Sequence, residues 1–293
     1  MSQSASTKQF TDEEKLKISA VTGQGLHQHV YEFTVCIFDE VKKELSSGTL
    51  VNIKDRIFIA TAAHNIPSRA SETLQILPDQ PRPKHLGTLR PGWSGTDRTQ
   101  DVGFIEIDPA AFAVYFPGKQ CCSLGRISIM GIGDPAQLMV LVGTPVQFVE
   151  SNPTDVGPPF VANQIAFTST VLNQTQWPSN FKGGRAIDPA VDVFLDYPAA
   201  GITKLDTGEP LQLTTPHGFS GGGMWSSQMT SGEFWSPDMS QLFAIDNSWD
   251  DIQRIVRGTQ IIHWLNLLRS KLPEFKEHLE RTFPELNSQP LIE

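Results

Sequence analysis

Thr49–Ile66 reads TLVNIKDRIFIATAAHNI. Two apolar runs flank a charged tight turn at Lys54–Asp55, and the second run, Ile57-Phe58-Ile59, closes on Thr61-Ala62-Ala63 and then His64. β-Branched and aromatic runs on either side of a short polar turn are the mark of a β-hairpin. A histidine after small residues at a strand end can be a simple cap. It can equally be a general base at the lip of a β-domain, and then the chain must supply an acid and a nucleophile elsewhere.

Outward from this hairpin the same texture continues. In 293 residues the chain carries 23 Gly and 21 Pro with only 19% charged residues, which favours many short strands joined by turns over a helical bundle. Strand signals recur at VYEFTVCIF from Val30, at LQIL from Leu74, at DVGFIEID from Asp101, and at QIAFTSTVL, DVFLDY, GMWSS and LFAIDNS further on. Between LQIL and Asp101 a Pro/Gly/Arg-rich stretch reads as a long surface loop. A turn-rich joint near Gly125–Asp134 divides the strands into two series. The expected organisation is a polar tail over 1–28, a first β-barrel over 29–130, a second over 131–258, and a C-terminal helix and tail over 259–293. That last segment, TQIIHWLNLLRSKL, spaces Ile261, Trp264, Leu265 and Leu268 three and four apart, an amphipathic helix expected to pack on the β-core. Pro273 ends it, and EFKEHLERTF reads as a second short helix.

Charge and cysteine usage exclude several classes. A formal net charge of −9 without a Lys/Arg cluster makes nucleic acid a poor partner. No apolar stretch approaches the roughly 20 residues of a spanning helix. The polar opening MSQSASTKQFTDEEKLK lacks the apolar core of a signal peptide, so a cytoplasmic location without membrane attachment is expected. Cys36, Cys121 and Cys122 have neither disulfide-framework nor zinc spacing, and no metal or other cofactor is expected.

The acid candidate is Asp101, at the head of an alternating apolar strand; Asp97 nearby reads as a turn residue. The nucleophile candidate is Ser220 in TPHGFSGGGMW, surrounded by Gly218, Gly221, Gly222 and Gly223. Glycines permit positive φ and close backbone approach, which lets two N–H groups aim at one developing oxyanion. A serine hydroxyl becomes a competent nucleophile when an imidazole takes its proton and a carboxylate holds that imidazole in the right tautomer.

With TAAH at 61–64, DVGFI at 101–105 and GFSGGG at 218–223 in this order, the chain resembles the trypsin/chymotrypsin-like serine peptidases, of the bacterial or intracellular type without disulfides. The resemblance covers about Glu32 to Leu268. It implies an all-β fold: two six-stranded antiparallel β-barrels packed perpendicular, the active site in the cleft between them, and here a C-terminal helix. It implies a serine endopeptidase working through an acyl-enzyme, with His64, Asp101 and Ser220 as the triad and the backbone N–H groups of Gly218 and Ser220 as the oxyanion hole. By the same resemblance Thr214 lies near the base of the specificity pocket, Thr215 and His217 at its wall and mouth. Asn247, Ser248 and Trp249 belong to the strand that pairs with substrate backbone. Thr214 brings no charge to the base, and Asp246 would restore one only by pointing inward, which is not expected.

Two departures bear on control. Asn65 stands where secreted members carry a disulfide cysteine, and Phe219 where they carry the aspartate that receives a freed amino terminus. Activation by amino-terminal cleavage therefore loses its paired charge, and the oxyanion turn is expected to be held by packing. The partners expected are a protein or peptide substrate and, for a regulated intracellular protease, an activator or assembly partner. The rival readings are a protease-fold binding module, which predicts a lost triad member, and an esterase using the same triad.

Overall fold

The computed structural model describes residues 23–77, 89–129, 138–146, 149–151, 160–162, 164–181, 185–197, 202–203, 210–211, 216–228 and 235–292. The first described residues, 23–31, are helical (α1). Strands β1 (Thr34–Asp39), β2 (Glu44–Ile53) and β3 (Arg56–Thr61) follow, then the one-turn helix α2 (Ala70–Thr73), β4 (Leu74–Leu77), β5 (Trp93–Asp97), β6 (Val102–Ile107), α3 (Pro109–Tyr115) and β7 (Cys122–Ser123). Six of these strands form an antiparallel sheet ordered β4-β1-β2-β3-β6-β5, with β7 added parallel to β2.

The second half contains β8 (Met139–Gly143), β9 (Val149–Ser151), β10 (Phe160–Ala162), β11 (Ile165–Ser169), β12 (Asp192–Asp196), β13 (Ile202–Thr203), β14 (Pro210–Leu211), β15 (Gly223–Ser226), β16 (Gln241–Asp250) and β17 (Ile255–Gln260). Its main sheet is six-stranded and antiparallel, ordered β11-β8-β15-β16-β17-β12, while β9 pairs with β10 and β13 with β14. Both sheets curl. Ile76 bridges to Leu89 ahead of β5, and Val171, just past β11, bridges to Leu195 of β12. The architecture is the expected pair of six-stranded antiparallel sheets followed by C-terminal helices, α4 (Ile261–Lys271) and α5 (Lys276–Thr282).

The opening hairpin forms in the register its turn dictates, from Thr49↔Ala60 to Ile53↔Arg56, with Lys54 at φ 58 in the tight turn. Its unbroken apolar run has a physical reason, since both faces of β3 are buried. Ile57 and Ile59 face the interior of the first sheet with Val35, Ile37, Leu50 and Ile105. Phe58 and Ala60 face the other way, into a core shared with Val140, Trp225 and Leu242 of the second sheet and with α4 and α5. The second sheet has its own interior around Leu141, Phe167, Leu195 and Met224. Helix α4 seals the shared core: Ile261, Trp264, Leu265 and Leu268 are each at most 1% exposed, and burying side chains of this size contributes about 1.5–3 kcal/mol apiece. The Trp264 indole N–H donates to the Gly103 carbonyl of β6.

Four boundaries differ from the sequence reading. Residues 23–28, read as tail, belong to α1, whose Leu26 and Val30 are fully buried in the shared core. Two apolar residues four apart among His, Gln and Gly are too few to announce a helix, yet they suffice once Phe33 and Trp225 are present to cover them. The strand read from Val30 begins only at Thr34. Within the expected surface loop, Trp93–Asp97 is the edge strand β5, in which Gly95 lies flat against Phe104; a Cβ there would sit 2.6 Å from that ring. Strand β17 runs to Gln260, so Thr259 and Gln260 belong to the second sheet and not to the C-terminal helix. The expected boundary at residue 130 and the TDEEKLK segment lie outside the described residues.

Candidate active site

Strand register brings the histidine and the aspartate together. Thr61 at the end of β3 pairs with Gly103 near the start of β6, so residues three after one and two before the other meet at the same edge. After Thr61 the chain turns through a 3-10 segment, Ala63–Asn65; Ala62 and Ala63 are fully buried, which seats His64 on the surface with its side chain 48% exposed. Asp101 closes the β5–β6 turn at φ 55, a left-handed conformation that Asp tolerates better than most residues. His64 Nδ1 lies 2.9 Å from Asp101 Oδ2 and 3.1 Å from Oδ1, and the His64 backbone N–H donates to Oδ1 at 3.1 Å. Burial pushes the Asp101 carboxyl up, but the hydrogen bonds and charge of His64, with the charge of Arg98, outweigh it and hold the group below the ordinary carboxylate range. The neighbouring aspartates do other work. Asp97 Oδ1 accepts the Thr99 and Gln100 N–H groups inside the turn, and Asp108 caps α3 by accepting the Ala111 N–H.

On the other side of His64, Nε2 lies 2.8 Å from Ser220 Oγ. Ser220 sits in the turn leading into β15. Phe219 N–H donates to the Pro216 carbonyl at 3.0 Å, and Gly218 has φ 99, so Pro216–Phe219 is a type II turn with glycine at the position that requires positive φ. A Cβ on Gly218 would meet the Thr144 carbonyl oxygen at 2.2 Å, and one on Gly221 (φ 92) would meet the Ser47 carbonyl at 2.0 Å. Phe219 is buried against Phe167 and closes over Gly143.

The carbonyls of His217, Gly218, Phe219 and Ser220 accept, respectively, from Val146 N–H, the Ser47 hydroxyl, Gly222 N–H and Ser47 N–H. The N–H groups of Phe219 and Gly221 donate to Pro216 and Asp246 carbonyls. Among the described residues, the N–H groups of Gly218 and Ser220 have no acceptor. These are the two donors the sequence singles out. Gly218–Gly222 also matches the spacing Gly-x-Ser-x-Gly, but a nucleophile elbow passes from strand into helix, whereas this turn runs into strand β15.

Of the expected specificity residues, Thr214 and Thr215 lie outside the described residues. His217 is exposed, its ring edge-on to Trp249 with centroids 6.4 Å apart, and Trp249 also packs on Tyr197. The Asn247 carbonyl lies 3.4 Å from Ser220 Oγ, but its side chain turns inward, donating to Thr259 Oγ1 and accepting from the Ser248 hydroxyl. Asp246 is buried: it is 4% exposed and its Oδ1 has no partner among the described residues. Burial first, and the nearby charge of Asp101, push its carboxyl well above the ordinary range, against the lowering effect of the Ser248 and Asn247 N–H groups. The cleft itself holds about 660 Å³ and is lined by His64, Asn65, Gly218 and Ser220 together with Lys42 and Glu44 of the β1–β2 hairpin. The cysteines offer no competing nucleophile, because burial pushes the thiols of Cys121 and Cys122 up to about 12 and Cys36 is buried.

Three contributors have no signature in the sequence. Asn65 Nδ2 donates to the Ser220 carbonyl at 2.9 Å and to Thr61 Oγ1 at 3.1 Å; its place beside His64 is the only hint. Thr259 Oγ1 donates to the Gln100 carbonyl at 2.6 Å while accepting from Asn247 Nδ2, so a strand of the second sheet grips the turn that carries Asp101. Ser47, in the unremarkable ELSSGTL, touches both ends of the nucleophile turn.

No family model matches this chain, and no curated protein matches it in sequence. Among solved structures it is similar to a thermostable serine protease, AL20, from an extremophilic microorganism, with a TM-score of 0.46 and 12% identity over 78% of this chain and 91% of that one. No three His, Cys, Asp or Glu side chains among the described residues gather as a metal site, and no helix among them is long and apolar enough to cross a membrane.

Proposed function

We propose that this chain is a serine endopeptidase. The observation that carries the reading is one line of hydrogen bonds, Asp101 Oδ2 to His64 Nδ1 at 2.9 Å and His64 Nε2 to Ser220 Oγ at 2.8 Å, ending beside two backbone N–H groups that have no acceptor among the described residues. Asp101, ionised at neutral pH, accepts a hydrogen bond from Nδ1–H, which fixes the tautomer that leaves Nε2 basic. His64 takes the Ser220 hydroxyl proton as Oγ attacks a peptide carbonyl, and the oxyanion forms against Gly218 and Ser220 N–H. His64 then protonates the departing amine, giving an acyl-Ser220 that water, deprotonated by His64, hydrolyses. All three side chains are present, which disfavours a binding module that has lost its chemistry. The turn needs no freed amino terminus in this reading. Phe219 packs where a carboxylate would receive one, and a cut near Val30 would remove the buried helix α1.

A fluorophosphonate probe should label the protein once, and Ser220→Ala should abolish both labelling and cleavage of a peptide library. Labelling that survives in the variant, or a labelled protein that hydrolyses esters but no peptide in the library, would overturn the reading.

A further inference from the structure

We propose that Ser47 is a positioning residue, and that its hydroxyl keeps the oxyanion turn permanently in its donor-out conformation. The proposal rests on the function just proposed, since it concerns the same Gly218 and Ser220 N–H groups.

A glycine turn is not rigid by itself. In Pro216–Phe219 the central peptide, His217–Gly218, can rotate between a type II and a type I arrangement because glycine accepts φ of either sign. In a planar trans peptide the C=O and N–H point in opposite directions, so rotation would withdraw the Gly218 N–H and present the His217 carbonyl to the cleft. A carbonyl facing a developing oxyanion repels it.

The fold holds the peptide from behind. The His217 carbonyl accepts Val146 N–H at 2.9 Å, and Val146 follows β8 on the segment that begins at Thr144. Ser47 ties that segment to the turn: its Oγ donates to the Gly218 carbonyl at 2.7 Å and accepts Thr144 N–H at 2.8 Å. The Ser47 N–H donates to the Ser220 carbonyl at 2.8 Å, so one residue holds the backbone on both sides of Phe219. Ser47 is in turn pinned within its own sheet. Its carbonyl accepts the Thr61 hydroxyl at 2.8 Å, Asn65 Nδ2 donates to that hydroxyl, and the same Nδ2 donates to the Ser220 carbonyl, which closes a ring. Ser47 is fully buried, so water does not compete for these bonds. The hydroxyl is the single side-chain atom in the described structure that joins the first sheet, the β8 exit and the Gly218 carbonyl.

Ser47→Ala tests this, with Ser47→Thr as the variant that keeps the hydroxyl. With hydroxyl lost, kcat on a peptide substrate should fall on the order of 10²-fold, the scale of losing one oxyanion donor, with KM nearly unchanged. The pH at which activity rises should not move, because His64 and Asp101 are untouched. Binding of a peptidyl boronate, which places an oxygen in the hole, should weaken in parallel with kcat, and Ser47→Thr should recover most of both. A crystal structure of Ser47→Ala should show Gly218 leaving the left-handed region. An unchanged turn in a folded Ser47→Ala protein overturns the proposal, as does a loss of activity accompanied by a moved pH profile. If the turn relaxes but the parent protein neither takes up fluorophosphonate nor cleaves peptides, the positioning role stands and the peptidase reading fails.

Discussion

The two walls of the cleft are built on different principles. The first-sheet wall presents side chains: His64 and Asp101, 48% and 27% exposed, are held mainly by each other. The second-sheet wall presents backbone: the carbonyls of residues 217–220 are all committed, the Gly218 and Ser220 N–H groups have no acceptor among the described residues, and glycines stand where a Cβ would strike a neighbouring carbonyl at close to 2 Å. Asp101 on the first wall and Asp246 under the second are pushed by their surroundings in opposite directions. The hydrogen bonds and charge of His64 hold the Asp101 carboxyl below the ordinary range, whereas burial beneath the glycine turn pushes that of Asp246 well above it. The proposed chemistry on the first wall is therefore exposed to single-atom changes that leave the fold intact. On the second wall geometry is the vulnerable quantity.

The sharpest break of the first wall is Asp101→Asn. It preserves shape while offering His64 the wrong partner, and turnover should fall by about four orders of magnitude at neutral pH. Asp97→Asn, which alters a turn, should lose stability and keep turnover. The reverse ranking would put the acid elsewhere.

Thr259→Val probes the contact between the walls. It removes the hydroxyl that the Gln100 carbonyl and Asn247 Nδ2 share, leaving the buried Asn247 amide unpaired at a cost of about 1–3 kcal/mol and releasing the part-buried Gln100 carbonyl. Displacing the Asp101 turn should lower turnover roughly tenfold while the fluorophosphonate still labels Ser220. Steady-state kinetics beside a denaturation curve would check this, and undiminished turnover in a destabilised protein would mean that the grip is structural alone.

The smallest effect separates the two carboxyls by sign. A raised folded pKa, as for Asp246, gives stability that is complete below the unfolded carboxylate value and is lost as pH rises. The lowered pKa of Asp101 does the opposite, contributing above that value and losing its contribution as pH falls. From about pH 4 to neutrality the parent should therefore lose ground against Asp246→Asn, by about 2–4 °C in melting temperature for each kcal/mol involved. Calorimetry across that range reads it directly, and parallel curves for parent and variant would show that Asp246 ionises freely.

The sequence by itself determined the features whose causes are local. Apolar runs and turn residues specify the hairpin at 49–66, glycine specifies the positive φ at 218 and 221, and three-and-four spacing specifies α4, because each is a property of neighbouring residues. The chemical types at 64, 101 and 220 were legible for the same reason. Tertiary structure alone decided where α1 goes, since Leu26 and Val30 gain their energy from partners distant in the chain. It alone buried Asp246 and turned the Asn247 side chain away from the cleft. It also recruited Ser47, whose hydroxyl meets a carbonyl 171 residues away. A hydrogen bond between residues so far apart leaves no periodicity, composition or spacing behind; it exists only once two sheets have met.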